Sequence, residues 1–492
     1  MSDEILMGAM VEVPKAKLTN REVEQIVTDL RFEASGGDMF KFGQGGKNDV
    51  ILLWGETETH FSLPRAYVSS QMTRLLPAIK DVTTEGNPVE FFWSDAVHRQ
   101  RSEEKGRLDW YELQVKWVDE VYTALLASPS HGVIGQAPTA FGKSACSAKV
   151  MSKIGRPALV IVHRDFLLEQ WRKDLAKWLN IDAEKDIGIV QGPVCEYEGK
   201  KVVIAMVESL AMKDDYPQAF YDYFGLIVSD EVHRMGSPVW SKAIPKFSAR
   251  YRLGLSATPR RSDGLDNVFL WTIGPVRARV KEWLVKPRVV RLGWPVVVDK
   301  RRYTHFREKY HNPATGEWEP KVLLPRLHSI VAGMPKLNEW IASEAFRAVE
   351  SGRTVMVLSM RREHLKELKA QFDARSQGKY ASAFCWGEGG KKVKVDATQT
   401  ANILFATVGK AKDALNIEHL DTLFLVSPMA DVEQAVGRIL RVSEGKDPLV
   451  VDICHRGIGV CEVFANKRLR WYKSKKFDIK EVGSWTDVGV TA

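Results

Sequence analysis

Short, uninterrupted runs of apolar residues recur along the chain from about residue 158 onward. Their continuity favours strands that are buried on both faces, as in a parallel sheet, because strands with one solvated face alternate apolar and polar positions. The segments between the runs are long enough for crossover helices, for example at 166–179 and 361–372. The pattern therefore predicts a doubly wound α/β fold. The runs are ALVIV (158–162), VVIAMV (202–207), LIVSD (226–230), LGLSAT (253–258), TVMVLS (354–359), NILFAT (402–407), TLFLVS (422–427) and LVVDI (449–453).

The runs fall into two blocks, each of which has the length of an ordinary domain. The first hundred residues differ, since a predicted helix and several glycines precede a single short strand-like piece. The predicted organisation is a small α+β accessory domain at 1–100, a linker at 98–107, the two α/β domains at 108–285 and 286–470, and a basic tail at 471–492.

The formal net charge of +9 and the pI near 9.1 favour polyanionic partners over acidic proteins or neutral metabolites. Two basic stretches, 299–325 and 467–480, are interleaved with aromatic residues. Basic side chains bind the nucleic-acid backbone and aromatic rings stack on unpaired bases, so Arg470 and Trp471 are candidate contacts. In the alternative interpretation, each stretch is a solvated face whose aromatic residues lie in the core.

The five cysteines form no CxxC pair, which argues against both a zinc ribbon and a disulfide framework. The first residues carry Asp3 and Glu4 and precede no long apolar run, so neither a signal peptide nor a membrane span is expected. We therefore expect a cytoplasmic protein that has no membrane partner.

The segment 137–144 has the features of a phosphate-binding loop between a strand and a helix. Backbone N–H groups at such a helix start bind phosphates, a lysine reaches the outer phosphates and a hydroxyl group holds Mg²⁺. Lys143 and Ser144 supply these two groups, although Ala137 and Ala140 stand where glycine is common. The alternative is an accidental Gly-Lys-Ser at a helix start. The residues expected to contact ATP are Pro138, Thr139, Ala140, Phe141, Gly142, Lys143 and Ser144.

Two adjacent acids, Asp230 and Glu231, end the apolar run that starts at residue 226. At the carboxyl end of a strand, Asp230 can hold Mg²⁺ and Glu231 can orient and deprotonate an attacking water. An isolated Asp-Glu pair is often only a solvated acidic turn. The presence of Lys143 and Ser144 in the same block favours the ATP site.

In order and spacing, these motifs resemble those of the superfamily 2 helicases and translocases, over about residues 108–455. Gln114 looks like the family's adenine-reading glutamine, DEVH (230–233) like its acidic box and SAT (256–258) like its coupling motif. The extension PRRSDG (259–264) is similar to the phage UvsW-type branch-migration helicases. The resemblance implies nucleic-acid contact or coupling roles for His163, Arg164, Gln170, Ser209, Ser256 and Thr258.

In the second block, residues 403–421 resemble the family's fifth motif, in which Thr407 would contact nucleic acid or couple it to the ATP site. Asp413, Ala414 and Asn416 replace the more usual Glu, Gly and Asp, so the details of coupling can differ here.

Residues 434–441 fit the family's QxxGRxxR motif. The resemblance implies that Gln434 assists Glu231 and that Arg438 and Arg441 meet the charge of the transition state. Read in isolation, the same segment would be an exposed helix whose arginines pair with acids.

The resemblance implies two tandem RecA-like domains and an ATP- and Mg²⁺-dependent enzyme that unwinds or remodels DNA. Forked, branched or partly single-stranded DNA is the expected substrate, in replication, recombination or repair. An RNA helicase and a duplex DNA translocase that separates no strands are the enzymatic alternatives. An ATP-gated nucleic-acid clamp or annealing module is the non-enzymatic alternative. The pattern points to no particular protein partner.

Overall fold

In the computed structural model, the chain forms two units, residues 1–281 and 282–492, and each is described by itself. The structure describes residues 3–33, 50–104, 108–138, 141–212, 216–238, 240–261, 263–281, 286–295, 307–311, 318–385, 400–409, 419–439 and 447–487. Among these residues, no helix combines the length and the apolar character that crossing a bilayer requires.

The first unit begins with a small mixed α/β module. Its elements are β1 (Ile5–Met7), β2 (Val11–Pro14), α1 (Asn20–Asp29), β3 (Arg31–Glu33), β4 (Val50–Leu52), β5 (Gly55–Glu56), β6 (His60–Leu63), α2 (Arg65–Gln71) and β7 (Ile79–Asp81). Five of the strands form one sheet in the order β5-β6-β2-β1-β7, and β3 pairs with β4. Helix α1 starts where it does because Thr19 and Glu22 form a reciprocal capping box.

This module shares a core with the rest of the first unit. Leu265 and Val268 pack into the apolar cluster that its sheet and α2 form. The buried Arg65 donates to the carbonyl of Ala249 at 2.8 Å, and Arg252 donates to the carbonyl of Ala9. Residues far along the chain therefore complete the core of the module, and its accessory role at 1–100 stays a prediction.

The remainder of the first unit is a doubly wound α/β layer structure. Its elements are α3 (Asp95–Glu104), α4 (Leu108–Ala127), β8 (Gly132–Gln136), α5 (Lys143–Ile154), β9 (Ala158–Val162), α6 (Asp165–Leu179), β10 (Ile187–Gln191), β11 (Val194–Cys195), β12 (Val202–Met206), α7 (Val207–Met212), α8 (Gln218–Tyr221), β13 (Leu226–Ser229), β14 (Tyr251–Ser256), α9 (Asp266–Thr272) and β15 (Val276–Arg279). The strand order is β11-β10-β12-β9-β13-β14-β8-β15, and only the β10–β11 pairing is antiparallel.

Strand β9 explains why the apolar runs are continuous. All five of its residues are buried. Val160 packs in the core cluster on one face of the sheet and Ile161 in the cluster on the other, because successive side chains of a strand point to opposite faces. The part of the predicted linker at 98–107 that α3 contains is helical up to Glu104, and its role as a linker stays a prediction.

The second unit is built on a seven-stranded sheet in the order β20-β21-β19-β22-β23-β16-β24, in which every pairing is parallel. Its elements are β16 (Arg288–Pro295), β17 (Arg307–His311), β18 (Trp318–Val322), α10 (Leu324–Ala332), α11 (Pro335–Glu350), β19 (Val355–Ser359), α12 (Arg362–Ser376), β20 (Ser382–Phe384), β21 (Ile403–Thr407), β22 (Thr422–Leu425), α13 (Glu433–Ile439), β23 (Leu449–Arg456), α14 (Gly459–Ser474) and β24 (Asp478–Val482).

Each of the eight apolar runs contains a strand with parallel neighbours, so the predicted fold class is confirmed. The insertion at 299–325 contains the antiparallel pair β17–β18. Within the predicted tail at 471–492, α14 continues to Ser474 and β24 pairs with β16 along the edge of the sheet.

Candidate nucleotide site

The loop between β8 and α5 has a glycine that no other residue could replace without strain. Gly142 has φ +88°, and a Cβ there would lie 2.6 Å from Nε2 of Gln114. That amide donates to the carbonyl of Phe141 at 2.5 Å, and the Phe141 ring packs edge-on against Trp110 with 5.0 Å between the ring centres. The loop is therefore anchored to α4 on its core side. The predicted loop residues Thr139 and Ala140 lie outside the described residues.

Lys143 and Ser144 occupy the first turn of α5. Nζ of Lys143 donates to the carbonyls of Ala137 and Pro138, at 3.2 and 3.3 Å, so its ammonium group lies against the loop. Oγ of Ser144 donates to Oδ2 of Asp174 at 2.9 Å. This arrangement supplies the positive charge and the hydroxyl group that a nucleotide-phosphate site needs.

Asp230 is buried beside this loop at the carboxyl end of β13. Its Oδ2 accepts a hydrogen bond of 3.0 Å from Nε1 of Trp171, and its Oδ1 accepts one from the backbone N–H of Glu231, also at 3.0 Å. Burial raises the pKa of Asp230 and the charge of Glu231 adds to this, while the charge of Lys143 lowers it. The structure thus brings the predicted lysine and the predicted acid within electrostatic reach of each other.

Glu231 adopts a conformation that is rare for its residue type. Its φ of +50° lies in the left-handed region, where strain is found most often at functional sites. Its Oε2 is buried and, among the described residues, accepts no hydrogen bond. Nδ1 of His233 lies 3.3 Å from that oxygen, but burial lowers the pKa of His233 to about 4, so the ring is neutral at pH 7.

The same histidine connects the acidic segment to Ser256. Nδ1 of His233 lies 3.0 Å from Oγ of Ser256, which also accepts the backbone N–H of Thr258 at 3.1 Å. On the other side, Nε2 of Gln136 donates to the carbonyl of Ala257 at 3.1 Å. The ends of β8, β13 and β14 are therefore tied together by side chains.

These groups fit a magnesium nucleotide. The donor set consists of hydroxyl and carboxylate oxygens, which Mg²⁺ prefers, next to an ammonium group for phosphate. The buried Glu231 Oε2 and the buried Asp230 are negative groups whose desolvation a bound cation would offset. Within the described ranges, no group of three or more His, Cys, Asp or Glu side chains is arranged to hold a metal ion.

Four of the predicted nucleic-acid residues of the first unit follow β9 or β12 along the chain. His163 has a buried Nδ1 that makes no hydrogen bond to the described residues, and burial lowers the pKa of this ring to about 3. Arg164 caps the start of α6 and Gln170 is partly exposed on that helix. Oγ of Ser209 accepts the backbone N–H of Gly192 at 3.0 Å. Their contacts with nucleic acid stay predictions.

In the second unit, Thr407 is the last residue of β21 and is partly buried. Gln434 and Arg438 lie on α13, of which the structure describes the backbone at these positions but not the side chains. Arg441 lies outside the described residues. The roles of Gln434, Arg438 and Arg441 in hydrolysis stay predictions.

The aromatic residues near the chain end are mainly core residues. Tyr472 is fully buried and Phe477 is 6% exposed, because α14 and β24 close the second sheet over them. The Trp471 ring packs 5.4 Å from Tyr472 and is partly buried, whereas Arg470 is exposed. For Tyr472 and Phe477 the core interpretation is therefore the correct one.

Sequence reasoning missed Trp171 and Asp174. Both lie on α6, one turn apart. The side chain of Trp171 contacts Asp230, and that of Asp174 contacts Ser144. Their spacing indicates only that they share a face of the helix. It does not indicate which residues of other elements that face meets.

A protein-family model matches part of the first unit. The protein-family model described as "Type III restriction enzyme, res subunit" matches residues 107–261, which include the phosphate loop, Asp230-Glu231 and Ser256–Thr258. The relatives below are named as a helicase and as a translocase, so the chain is similar to helicase-type ATPases.

Two relatives illustrate the breadth of this group. The chain is 26% identical over 346 residues to the putative ATP-dependent RNA helicase L396 of Acanthamoeba polyphaga mimivirus, a match that covers 69% of this chain and 63% of that protein. It is 27% identical over 248 residues to the DNA 3'-5' translocase XPB2 of Sulfurisphaera tokodaii, which covers 48% of this chain and 53% of that protein. The chain thus matches less than two thirds of the length of either protein.

Solved structures confirm the RecA-like fold. A fragment of a putative HsdR subunit of a type I restriction enzyme from Vibrio vulnificus YJ016 is similar with a TM-score of 0.53 at 15% identity, over 76% of this chain and 68% of that chain. T4 UvsW aligns over 97% of this chain and 99% of its own, at 16% identity and a TM-score of 0.37. A likeness at that score does not support an assignment to the UvsW type.

Proposed function

We propose that this chain is an ATP-dependent helicase or translocase that unwinds or remodels forked, branched or partly single-stranded DNA. One observation carries the proposal. The charges of Lys143 and Glu231 both act on the buried Asp230, and His233 joins this site to Ser256. An ATP site that is tied to a second motif at the end of a neighbouring strand is the arrangement that a motor needs and a simple nucleotide-binding module does not.

The chemistry of each residue follows from its position. The ammonium group of Lys143 and the N–H groups at the start of α5 neutralise the phosphates. Ser144 and Asp230 would hold Mg²⁺, which neutralises charge on the phosphate oxygens. Glu231 orients the attacking water and accepts its proton through the carboxylate whose Oε2 accepts no hydrogen bond from the described residues. Positioning and charge neutralisation supply most of the catalysis in phosphoryl transfer.

Three features support DNA as the nucleic acid. The archaeal relative is named a DNA translocase, and the net charge of +9 suits any nucleic acid. The similarity of residues 259–264 to branch-migration helicases supports a branched substrate.

The test compares the wild-type chain with Lys143→Ala. ATP hydrolysis is measured without nucleic acid and with single-stranded DNA, duplex DNA and RNA, and strand separation is measured on a fork, a four-way junction and an RNA duplex. We expect DNA to stimulate hydrolysis in the wild type and Lys143→Ala to remove it. A rate that no nucleic acid stimulates would contradict a motor and favour an ATP-gated clamp.

An RNA helicase is the second candidate. It is favoured by one observation, the name of the mimivirus relative. Stimulation by RNA alone, with separation of the RNA duplex but not of the DNA fork, would establish it in place of the DNA enzyme.

A further inference from the structure

Helix α6 contributes two side chains to the nucleotide site. Trp171 is 3% exposed and donates from Nε1 to Oδ2 of Asp230 at 3.0 Å. Asp174 accepts the hydroxyl hydrogen of Ser144 at Oδ2, at 2.9 Å. Residues three positions apart lie on the same face of a helix, so one surface of α6 meets both residues that would hold Mg²⁺.

The indole group suits the role of orienting a carboxylate. It has a single N–H donor and no acceptor, so it fixes one oxygen of Asp230 and cannot itself bind a cation. The backbone N–H of Glu231 holds the other oxygen. Each carboxylate oxygen has about two lone pairs, so both retain the capacity to bind Mg²⁺ or a water of its shell.

Asp174 orients Ser144 in the complementary way. A hydroxyl group has one hydrogen and two lone pairs. Because the hydrogen is directed to Asp174, the lone pairs of the Ser144 oxygen are left for a cation. The carboxylate also adds negative charge close to the site, which favours a divalent ion.

We propose that Trp171 and Asp174 are positioning residues that hold Asp230 and Ser144 in the orientation required by a magnesium-bound nucleotide. The proposal rests on the proposed function only in that the site binds a magnesium nucleotide. Removal of hydrogen bonds that orient metal ligands typically costs about tenfold to a hundredfold in metal affinity.

Trp171 also belongs to the core of the first unit, so a loss of function could reflect damaged packing. Trp117 provides the matched control. It is 1% exposed, lies in the same core cluster and donates from Nε1 to a backbone carbonyl, that of Gln136, at 3.2 Å. Trp→Phe at either position removes one indole N–H and keeps an aromatic ring.

The experiment measures the affinity of the full-length chain for a fluorescent ADP analogue by equilibrium titration, once with Mg²⁺ and once with EDTA. The ratio of the two dissociation constants is the gain that Mg²⁺ provides. We expect Trp171→Phe and Asp174→Ala to reduce this gain about tenfold or more, while Trp117→Phe keeps it. Asp174→Asn should retain most of it, since the amide oxygen can still accept from Ser144.

An unchanged gain in Trp171→Phe, or an equal loss in Trp117→Phe, would overturn the proposal. The first result would leave the proposed function intact, because the wild type would still bind the magnesium nucleotide. If the gain changes as expected but nucleic acid fails to stimulate hydrolysis in the wild type, the proposed function fails and the positioning role stands.

Discussion

Nδ1 of His233 lies 3.0 Å from Oγ of Ser256, and this contact joins the strand that carries Asp230 and Glu231 to the strand that leads into Thr258. Both side chains are more than half buried, so the bond is shielded from competing water. Oγ of Ser256 also accepts the N–H of Thr258. A change at either residue should therefore disturb communication between hydrolysis and movement more than hydrolysis itself.

Ser256→Ala removes the oxygen that joins His233 to Thr258. We expect ATP hydrolysis to fall only a few-fold and strand separation per ATP to fall at least about tenfold, as loss of a buried hydrogen bond can cause. Ser229→Ala is the control, because Ser229 is also buried on a neighbouring strand and its Oγ has no hydrogen bond to the described residues. Equal losses of hydrolysis and unwinding in Ser256→Ala would contradict a coupling role.

Glu231→Gln should separate binding from turnover. The amide keeps the size of the side chain but cannot accept a proton from water. We expect hydrolysis to fall at least about a hundredfold, the range of general-base catalysis, with affinity for ATP within a few-fold of wild type. Single-turnover hydrolysis and nucleotide titration measure the two quantities. Substantial residual turnover would assign the base to another group.

Gly142→Ala should strain the backbone and place the new Cβ too close to the Gln114 side chain. The φ of +88° disfavours any L residue by about 1 kcal/mol, and the new Cβ would displace the Gln114 amide from the Phe141 carbonyl. We expect lower stability and weaker ATP binding. Gly199→Ala, at φ +71° with no atom within 4 Å of the new Cβ, should lose only the stability. Urea denaturation and nucleotide titration distinguish the two variants, and weaker ATP binding in both would contradict the role of the Gln114 contact.

Arg65→Met tests how much the contacts between the N-terminal module and the rest of the first unit contribute to the free energy of unfolding. The buried guanidinium group donates to the carbonyls of Gly8, Ser248, Ala249 and Arg250. The variant leaves these acceptors without a donor, so we expect a loss of about 3 kcal/mol in the free energy of unfolding. Arg74→Met, which removes an arginine that is half exposed and paired with Glu22, should cost about 1 kcal/mol or less. Similar losses in the two variants would show that the burial of Arg65 is unimportant.

The second unit should lose stability as the pH falls below 6.5. His364 is buried between Ser359 and Asn338, and burial lowers its pKa to about 4. A lowered histidine pKa means that the unfolded chain takes up the proton first, so stability is complete above pH 6.5 and declines between pH 6.5 and 4. At pH 5 this group alone accounts for about 2 kcal/mol. Urea denaturation at pH 7 and pH 5 measures how much free energy of unfolding is lost between the two pH values. We expect the loss in His364→Gln to be smaller than in the wild type by that amount. An identical loss in both proteins would contradict the assignment to His364.

The sequence by itself determined the parallel sheets and the places of Lys143 at the start of α5 and of the two acids after β13. Strand burial is a local property, since a residue run such as 158–162 must be apolar throughout if both faces are covered. The start of α5 at Lys143 and the acids after β13 are equally local, because a phosphate loop and a strand end need particular residues in an unbroken order.

Only the tertiary structure decided which distant elements complete one another. Leu265 and Val268 close the core of the N-terminal module, β24 extends the second sheet, and Trp171 reaches Asp230 across 59 positions of the chain. Helical spacing shows which side chains share a face, but the residues that this face meets depend on how strands order within the sheet. That order follows from the packing of the whole unit and leaves no local signal in the sequence.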